Sequence, residues 1–183
     1  MIISELLFKM KYHRADPYEK ADLYKKRYGI NMGDRCKFFG RADFGSEPYL
    51  IRLGNDVMLS DGVQFSNHDG GVQVLDVNGM LPKADIFGPI VIGNNVFIGR
   101  NSMIMKDVHI GSNVVIGAGS IVTRDCESNS VYAGIPARKI RTLDEYCEKV
   151  KNRAVPTLDY TKEEKKKYLI KKYNLESEQR GVK

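Results

Sequence analysis

Three histidines are the side chains best suited to moving a proton near neutral pH, because the imidazole ring titrates in that range. They are His13, His68 and His109. His68 stands at the threshold of a long stretch of turn-forming residues, and loops of this kind often carry reactive side chains. His68 is therefore the candidate for a general base among the three. We expect His13 to be a surface or packing residue and His109 to face outward.

A six-residue repeat provides the elements that must position these histidines. An aliphatic residue recurs at every sixth position, at Ile92, Ile98, Ile104, Ile110, Ile116 and Val122. Four positions after each comes a small or β-branched residue, namely Val96, Ser102, Val108, Val114, Ser120 and Cys126. Six is neither the period of a helix nor the alternation of a strand, so each unit predicts a short strand and a corner. Gly or Asn should take the strained backbone at the bend.

Three such units would close one triangular coil, and stacked coils would pair their strands in parallel. The same register occurs earlier, in units that begin at Met32, Leu53 and Leu59, and Phe65 opens a further one. The register fails between Phe65 and Ile92, where glycines and prolines are frequent. We therefore predict that residues 69–89 form a loop inserted into the coil. His68 then lies at the edge of this loop.

The two flanks of the repeat predict helices. Asp16 before Pro17 is a typical helix start, and Gly29 is a plausible end of that helix. After the repeat, residues 142–151 have a helical pattern. Thr161 then opens a second, highly charged helix that runs to about Tyr173 with a capping-box sequence. The prediction is an all-β solenoid of residues 30–140, with helical extensions at 1–29 and 141–183.

Composition excludes several classes of protein. The net charge is +6, but no aromatic and basic recognition motif or helix-turn-helix pattern accompanies it, so a nucleic-acid partner is not expected. No stretch is apolar for long enough to cross a bilayer, and no signal peptide is recognisable, so we expect a cytoplasmic protein without a transmembrane segment. The basic excess is compatible with a solvated helix face or with an anionic partner.

The three cysteines suggest neither a metal site nor a disulfide framework. Cys36, Cys126 and Cys147 are odd in number and widely spaced, and they include no Cys-x-x-Cys pair. This usage fits a reducing compartment. Cys126 takes the small inward position of its repeat unit, which favours a packing role over that of a nucleophile.

The repeat and the segment that follows it carry a resemblance to a known family. The ladder from Ile92 to Asp125, followed by Ala-Gly-Ile-Pro-Ala-Arg at 133–138, resembles the hexapeptide-repeat acyltransferases. The chain is similar to sugar O-acetyltransferases of the maltose and galactoside type. The segments 44–50, 67–71 and 87–90 look closer still to relatives that acetylate capsular or lipopolysaccharide sugars. This resemblance implies a left-handed parallel β-helix, and a homotrimer with active sites between neighbouring subunits.

The resemblance also implies a reaction and its residues. The reaction is direct transfer of an acetyl group from acetyl-CoA to a sugar hydroxyl, with His68 as the base and no metal. A backbone N–H near Gly99 or Arg100 would stabilise the oxyanion. The positions that match the family's coenzyme contacts are Ala118, Thr123, Arg124, Arg138 and Arg141. Candidates for binding the acceptor sugar are Glu47, Tyr49, Asn67 and Asp69. The chain departs from the family pattern at Phe97, often Trp in relatives, and at Arg100, a small residue in the galactoside type.

Three alternatives stay open at this point. The acceptor could instead be an amine, as in N-acetylation of an amino sugar or an antibiotic. A γ-type carbonic anhydrase shares the fold, but it needs three histidines that converge on one metal, and only His68 is suitably placed. A non-enzymatic scaffold is the third alternative, and the loop histidine together with the matching arginines argues against it.

Overall fold

The computed structural model describes residues 2–175, with side chains from Leu7 onward. The chain divides into two compact units, Met1–Cys147 and Glu148–Lys183. The helices are α1 (Ile2–Arg14), α2 (Pro17–Tyr28), α3 (Val72–Val77), α4 (Leu143–Val150) and α5 (Lys162–Lys172). The strands are β1 (Asn31–Met32), β2 (Lys37–Phe38), β3 (Ala42–Asp43), β4 (Ile51–Leu53), β5 (Met58–Leu59), β6 (Val63–Ser66), β7 (Ile90–Ile92), β8 (Val96–Ile98), β9 (Met103–Met105), β10 (His109–Ile110), β11 (Val114–Ile116), β12 (Ile121–Val122), β13 (Ser130–Gly134) and β14 (Ala137–Thr142).

The strands form three parallel sheets that the chain visits in turn. The first sheet has the order β1-β4-β7-β10, the second β2-β5-β8-β11-β13, and the third β3-β6-β9-β12. Strand β14 adds to the edge of the second sheet beside β13 and is antiparallel to it. Three consecutive strands, one in each sheet, make one coil. The predicted parallel stacking of coils is therefore confirmed, whereas the terminal antiparallel strand was not predicted.

The predicted inward positions are all buried. The six aliphatic residues from Ile92 to Val122 expose at most 2% of their surface, and the alternate small positions at most 3%. Burying an isoleucine contributes about 2–3 kcal/mol, so each unit adds a similar increment to one continuous core. The earlier units of the repeat, which include Leu53, Leu59 and Phe65, extend the same core.

Five successive bends, from 93–95 to 117–120, use a residue in the left-handed conformation. The glycines that follow the aliphatic residues are needed for a different reason from the one expected. The third residue after the aliphatic has φ between 54° and 68° at Asn95, Asn101, Asp107, Asn113 and Gly119. The glycines that directly follow the aliphatic residue do not have positive φ. They are required because the coils stack closely: a Cβ on Gly99 would lie 2.4 Å from the Ala118 nitrogen.

The bends fall into three vertical columns, which we call corners. The first corner joins the first sheet to the second and comprises 33–36, 54–57, 93–95, 111–113 and 127–129. The second corner joins the second sheet to the third and comprises 39–41, 60–62, 99–102 and 117–120. The third corner joins the third sheet back to the first and comprises 44–50, 67–89, 106–108 and 123–125. The inserted segment belongs to the third corner and contains the short helix α3.

Helix α2 covers the start of the first coil. It begins with a capping box between Asp16 and Glu19 and ends at Gly29, so the predicted helix is confirmed. Tyr24 on this helix is buried, and its ring centroid lies 5.5 Å from that of Phe38 and 5.6 Å from that of Phe44. Helix α1 had no start signal in the sequence and was not predicted as a separate helix.

The C-terminal helices agree with the sequence prediction. Helix α4 begins at Leu143, one residue after the expected start. Helix α5 is preceded by Thr161, whose side chain forms a capping box with Glu164. Residues 176–183 of the predicted extension lie outside the described residues. Within residues 2–175, no helix is long and apolar enough to span a membrane.

Candidate active site

His68 lies immediately after β6, where the chain leaves the third sheet. The preceding residue, Asn67, is fully buried, and its side-chain amide donates to the carbonyl oxygens of Phe44 (3.3 Å) and Glu47 (2.7 Å). The inserted segment returns against the same place, because the Gly88 N–H donates to the Asn67 carbonyl at 3.0 Å. These contacts fix the backbone on both sides of the exposed His68 ring.

A hydrogen-bonded pair orients the His68 ring. Its Nδ1 atom lies 3.4 Å from the Ser46 hydroxyl oxygen, and that hydroxyl is bonded to the Glu47 carboxylate. The single hydroxyl proton of Ser46 is donated in the hydrogen bond to the carboxylate. The hydroxyl oxygen therefore accepts a hydrogen bond from Nδ1–H. The tautomer with the proton on Nδ1 leaves a lone pair on Nε2. No described residue hydrogen-bonds to Nε2, so this atom can accept a proton from a substrate.

The first corner uses its backbone donors within the coil. In the first four of its five bends, the second residue donates its N–H to a side chain of the next coil. The pairs run Asp34 to Asn55, Asn55 to Asn94, Asn94 to Ser112 and Ser112 to Ser128, at 2.8–3.0 Å. Side-chain amides also link Asn95, Asn113 and Asn129 in a ladder at 2.9 Å. This corner is therefore closed to a ligand that needs backbone donors.

The second corner is open at the same position. Arg100 is stacked against Ala118 of the next coil. The Ala118 methyl group cannot accept a hydrogen bond from the Arg100 N–H. Within the part of the chain that the structure describes, the N–H groups of Arg100 and Ala118 make no hydrogen bond. Ala118 and Gly119 are exposed, and nothing lies within 4 Å of a Cβ built on Gly119. The corner thus offers two backbone donors on a surface with little side-chain bulk.

The structure separates the two amides proposed for the oxyanion. The Gly99 N–H donates to the Ile116 carbonyl at 2.8 Å, as the stacking of coils requires, so it is not available to a substrate. The Arg100 N–H remains. The Arg100 side chain turns to Asp61 one coil earlier, with a guanidinium nitrogen 2.6 Å from a carboxylate oxygen. This hydrogen bond holds the pKa of the Asp61 carboxyl below its usual value.

The predicted site residues divide between two corners of one chain. His68, Glu47, Tyr49, Asp69, Thr123 and Arg124 lie at the third corner, and Gly99, Arg100 and Ala118 lie at the second. The third sheet separates the two groups. Its strand β9 has three residues, and three extended residues span about 10 Å. A single chain therefore does not bring His68 together with the open amides.

The predicted coenzyme-binding arginines lie near the end of the coil. Arg138 and Arg141 are on β14, opposite Ala133 and Val131 respectively. Arg138 is exposed and Arg141 is half-buried. Thr123 and Arg124 are exposed in the last bend of the third corner. All three guanidinium groups are accessible at least in part to an anionic ligand.

Three of the four predicted acceptor-binding residues can reach a ligand. Tyr49 is exposed, Glu47 is half-buried beside His68, and the exposed Asp69 carboxylate accepts the Gly71 N–H at 3.0 Å. Asn67 is different, because its side chain points into the protein and is held by two backbone carbonyls. We therefore correct the prediction for Asn67: it fixes the turn before His68 and does not contact an acceptor.

The remaining nucleophiles and histidines behave as ordinary structural residues. His13 and His109 are exposed. Cys126 is buried in the core, and burial together with the charge of Asp125 raises the pKa of its thiol to about 12. A thiol with that pKa is protonated at neutral pH and is not a nucleophile. Among residues 2–175, no three His, Cys, Asp or Glu side chains are grouped to hold a metal ion.

Sequence reasoning missed Ser46 and Asp61. Ser46 lies next to Glu47 in the sequence, but its contact with His68 joins residues 22 positions apart. The pairing of Asp61 with Arg100 spans 39 positions, because the inserted segment lies between their coils. Neither contact can be assigned before the coils are aligned. The available signals are that both residues occupy bend positions of the repeat and that Ser46 adjoins the predicted site residue Glu47.

Comparison with known proteins agrees with this description. A family described as bacterial transferase hexapeptide (six repeats) matches residues 89–124. Protein CapG of Staphylococcus aureus is 47% identical over 154 residues, which cover 81% of this chain and 86% of CapG.

Solved structures of similar proteins include two sugar acetyltransferases. A maltose O-acetyltransferase from Clostridium difficile is 30% identical, with a TM-score of 0.54 over 75% of this chain and 83% of that one. A galactoside acetyltransferase in complex with coenzyme A is 26% identical, with a TM-score of 0.53 over 87% and 86% of the two chains. The repeat, the CapG relationship and these structures together show that the chain belongs to the hexapeptide-repeat transferases and is an acetyltransferase of that family.

Proposed function

We propose that the protein transfers the acetyl group of acetyl-CoA to a hydroxyl of a sugar in surface-polysaccharide synthesis. The observation that carries this proposal is His68, whose Nδ1 faces Ser46 and whose Nε2 is unoccupied on the protein surface. A sugar hydroxyl is a poor nucleophile at neutral pH, so the transfer needs a base of this kind. The similar maltose and galactoside acetyltransferases support a sugar as the acceptor.

The residues of the chain divide the work of the reaction. Acetyl-CoA supplies the acetyl thioester. His68 Nε2 takes the proton of the acceptor hydroxyl as its oxygen attacks the thioester carbonyl, and the Arg100 N–H donates to the carbonyl oxygen as charge develops there. The proton held on His68 then goes to the departing sulfur. The C–S bond is exchanged for a C–O bond, and no covalent enzyme intermediate is needed.

The second corner fits the pantetheine arm of acetyl-CoA. The Ala118 N–H is unbonded, and the Ala118-Gly119 bend is flat and exposed. An extended arm with amide groups can approach such an edge closely and accept a hydrogen bond from it. Arg124, Arg138 and Arg141 would hold the phosphates, because guanidinium groups bind phosphate through paired hydrogen bonds. The galactoside acetyltransferase in complex with coenzyme A supports this coenzyme.

We propose that the active site is completed by a second copy of the chain in a homotrimer. His68 is at the third corner and the open amides are at the second, so one copy must provide the histidine and its neighbour the amides. The third sheet lies between these corners and has partly exposed apolar side chains at Met103 and Ile121, which suits a position near the trimer axis. We also propose that the coil is left-handed, as family membership implies.

In this proposal, residues 30–140 carry His68 and the open amides. The extensions at 1–29 and 141–183 flank them, and the second extension provides Arg141 for the phosphates. We place the reaction in the cytoplasm. The three cysteines without disulfides support a reducing compartment.

A thiol-release assay tests the reaction. Purified protein is incubated with acetyl-CoA and a panel of free, nucleotide-linked and lipid-linked sugars, together with amino sugars and amines. We expect thiol release with at least one hydroxylated sugar and an ester product by mass spectrometry. Turnover with amines alone, giving an amide, would instead establish the N-acetyltransferase alternative.

Mixing two inactive variants tests the shared site. His68→Ala lacks the base, and Ala118→Trp blocks the second corner of the same chain. If each site uses the histidine of one copy and the corner of its neighbour, mixed trimers regain up to about a quarter of wild-type activity. Recovery of no activity from trimers proven by mass spectrometry to be mixed would contradict the shared site, and a monomer by light scattering would contradict the trimer.

A further inference from the structure

A cleft of about 990 Å³ lies between the two N-terminal helices and the lower part of the second corner. This volume is suited to a ligand the size of a sugar or a sugar nucleotide. Its aromatic lining includes Phe8, Tyr12 and Tyr24, and its basic lining includes Arg14, Lys20 and Arg41. Aromatic faces suit the apolar face of a sugar ring. The cleft is not part of the site described above.

The charge of this lining is strongly unbalanced. Asp61 is an acidic residue that lines the cleft, and it is already paired with Arg100 at 2.6 Å. The ammonium group of Lys20 lies over the Tyr12 ring, 5.4 Å from its centroid, and it makes no ion pair with a carboxylate of the described residues. Arg41 donates only its backbone N–H to Asp61, which leaves the guanidinium group to a ligand. The cleft therefore favours a negatively charged guest.

The cleft opens toward the proposed point of transfer. It is lined by Gly40, Arg41 and Asp61, which occupy the first two bends of the second corner. The next bend of the same corner contains Arg100, which is tied to Asp61. A guest in the cleft is thus one coil away from the open Arg100 amide. The coenzyme is proposed to occupy the opposite direction along this corner, toward Ala118.

We propose that this cleft binds the acceptor through a negative charge, so that the acceptor is an acidic sugar that carries a carboxylate or a phosphate. The proposal rests on the proposed function for the identity of the guest as acceptor. Arg41 and Lys20 contact the anionic group, and the sugar lies against the aromatic lining of the cleft. A neutral sugar gains only the second of these interactions.

Calorimetric titration without acetyl-CoA tests the binding. The probes are glucuronic acid for a carboxylate, glucose 1-phosphate and UDP-glucose for phosphates, and glucose as the neutral control. We expect at least one charged probe to bind at least about tenfold more tightly than glucose, with affinity that falls as salt is added. The charged probe that binds most tightly identifies the source of the charge. Equal binding of charged and neutral probes, or binding of none, would overturn the proposal.

Matched variants locate the binding in the cleft. Replacing both cations, with Arg41→Gln and Lys20→Gln together, should weaken the charged probe about tenfold or more. The charge-preserving pair Arg41→Lys and Lys20→Arg should retain most of the affinity, which excludes misfolding as the cause. Arg52→Gln, an exposed cation on the first sheet, is the control and should change nothing. Unchanged affinity in the doubly neutral variant would overturn the assignment.

The same titration in His68→Ala separates this proposal from the proposed function. Binding of a charged probe to His68→Ala and to the wild type, with no acetyl transfer by either, would leave the cleft assignment intact and refute the transferase reaction. Acetyl transfer by the wild type, with a KM for every acceptor unaltered in the doubly neutral variant, would refute the cleft and leave the reaction intact.

Discussion

The Nδ1 atom of His68 lies 3.4 Å from the hydroxyl oxygen of Ser46, which belongs to the bend one coil earlier. The ring therefore has a hydrogen-bond partner on a neighbouring coil, and the Phe87 ring of its own loop lies 6.5 Å away between centroids. The Glu47 carboxylate accepts a hydrogen bond from the Ser46 hydroxyl. The carboxylate, the hydroxyl and the imidazole thus form a hydrogen-bonded chain. This arrangement presents the second ring nitrogen to solvent, where an acceptor hydroxyl can approach.

Replacing His68 with alanine should reduce kcat by about 10²–10⁴, the usual contribution of a positioned base. The side chain is exposed, so thermal stability should change by less than about 0.5 kcal/mol. His109→Ala is the matched control, because His109 is also exposed but lies on the first sheet. The rate of thiol release gives kcat for His68→Ala and for His109→Ala. Equal activity in His68→Ala and wild type would exclude this base.

Ser46→Ala tests the orientation of the ring. Loss of the Nδ1 contact allows the ring to rotate and to exchange tautomers, so kcat should fall about three- to tenfold while the acceptor KM stays unchanged. Ser46→Thr retains the hydroxyl and should keep most of the rate. A rise in KM at constant kcat would instead indicate that Ser46 contacts the acceptor.

Neutralising Arg138 tests the coenzyme path. Arg138→Gln should raise the KM for acetyl-CoA about tenfold, because one charge-assisted contact to phosphate is lost. A truncated thioester without phosphates, acetyl-N-acetylcysteamine, should be used equally well by variant and wild type. Arg52→Gln is again the control. A similar loss with both thioesters would mean that Arg138 acts on the reaction in some way other than phosphate binding.

Gly99→Ala should destabilise the coil. The new Cβ would lie 2.4 Å from the Ala118 nitrogen, and backbone stacked in a parallel sheet cannot move away easily. We expect a loss of about 1–3 kcal/mol in the free energy of unfolding, measured by urea denaturation. Gly70→Ala is the control, because nothing lies within 4 Å of its Cβ and the change should be within about 0.5 kcal/mol.

The buried thiol of Cys126 should give a stability change in alkaline solution. Its pKa is raised from about 9 to about 12 in the folded chain. Above pH 9 the unfolded chain loses this proton while the folded chain keeps it, so stability should fall between about pH 9 and pH 12. The difference between wild type and Cys126→Ala, measured by denaturation across this range, isolates the effect. No difference in slope would contradict the burial of the thiol.

Iodoacetamide at pH 8 provides an independent check on the same residue. Cys147 is exposed and should be alkylated, while Cys36 and Cys126 should react only after unfolding. Mass spectrometry of the native protein reports which thiols are modified. Modification of Cys126 in the native protein would show that its thiol is accessible.

The sequence predicts the coil well because one buried side chain in every six residues is a local pattern. Ile98 and Ile116 can be assigned to buried positions from the repeat alone, without knowing which coils stack against them. The contact between Asp61 and Arg100 depends on which coils are adjacent, and the inserted segment removes that information from the spacing. Ala118 is suggested by the family resemblance, but spacing alone does not show that its N–H has no acceptor in the neighbouring coil.

Asn67 shows a second limit. The sequence suggests it as an acceptor ligand because an amide side chain can hydrogen-bond to a sugar hydroxyl. In extended backbone, neighbouring side chains point to opposite sides, so one of the pair must face the core when the other faces solvent. The sequence does not say which one is buried. Asn67 is buried and bonded to two carbonyls, and His68 is exposed.

The packing of Tyr24 against Phe38 and Phe44 also sets the length of the molecule. A stack of identical coils has no intrinsic end, and its first coil could receive the last coil of another molecule through unpaired strand edges. Helix α2 covers this end of the stack, and its Tyr24 ring packs against the aromatic side chains of the first coil. The N-terminal extension therefore caps the first coil, as β14 caps the opposite edge of the second sheet.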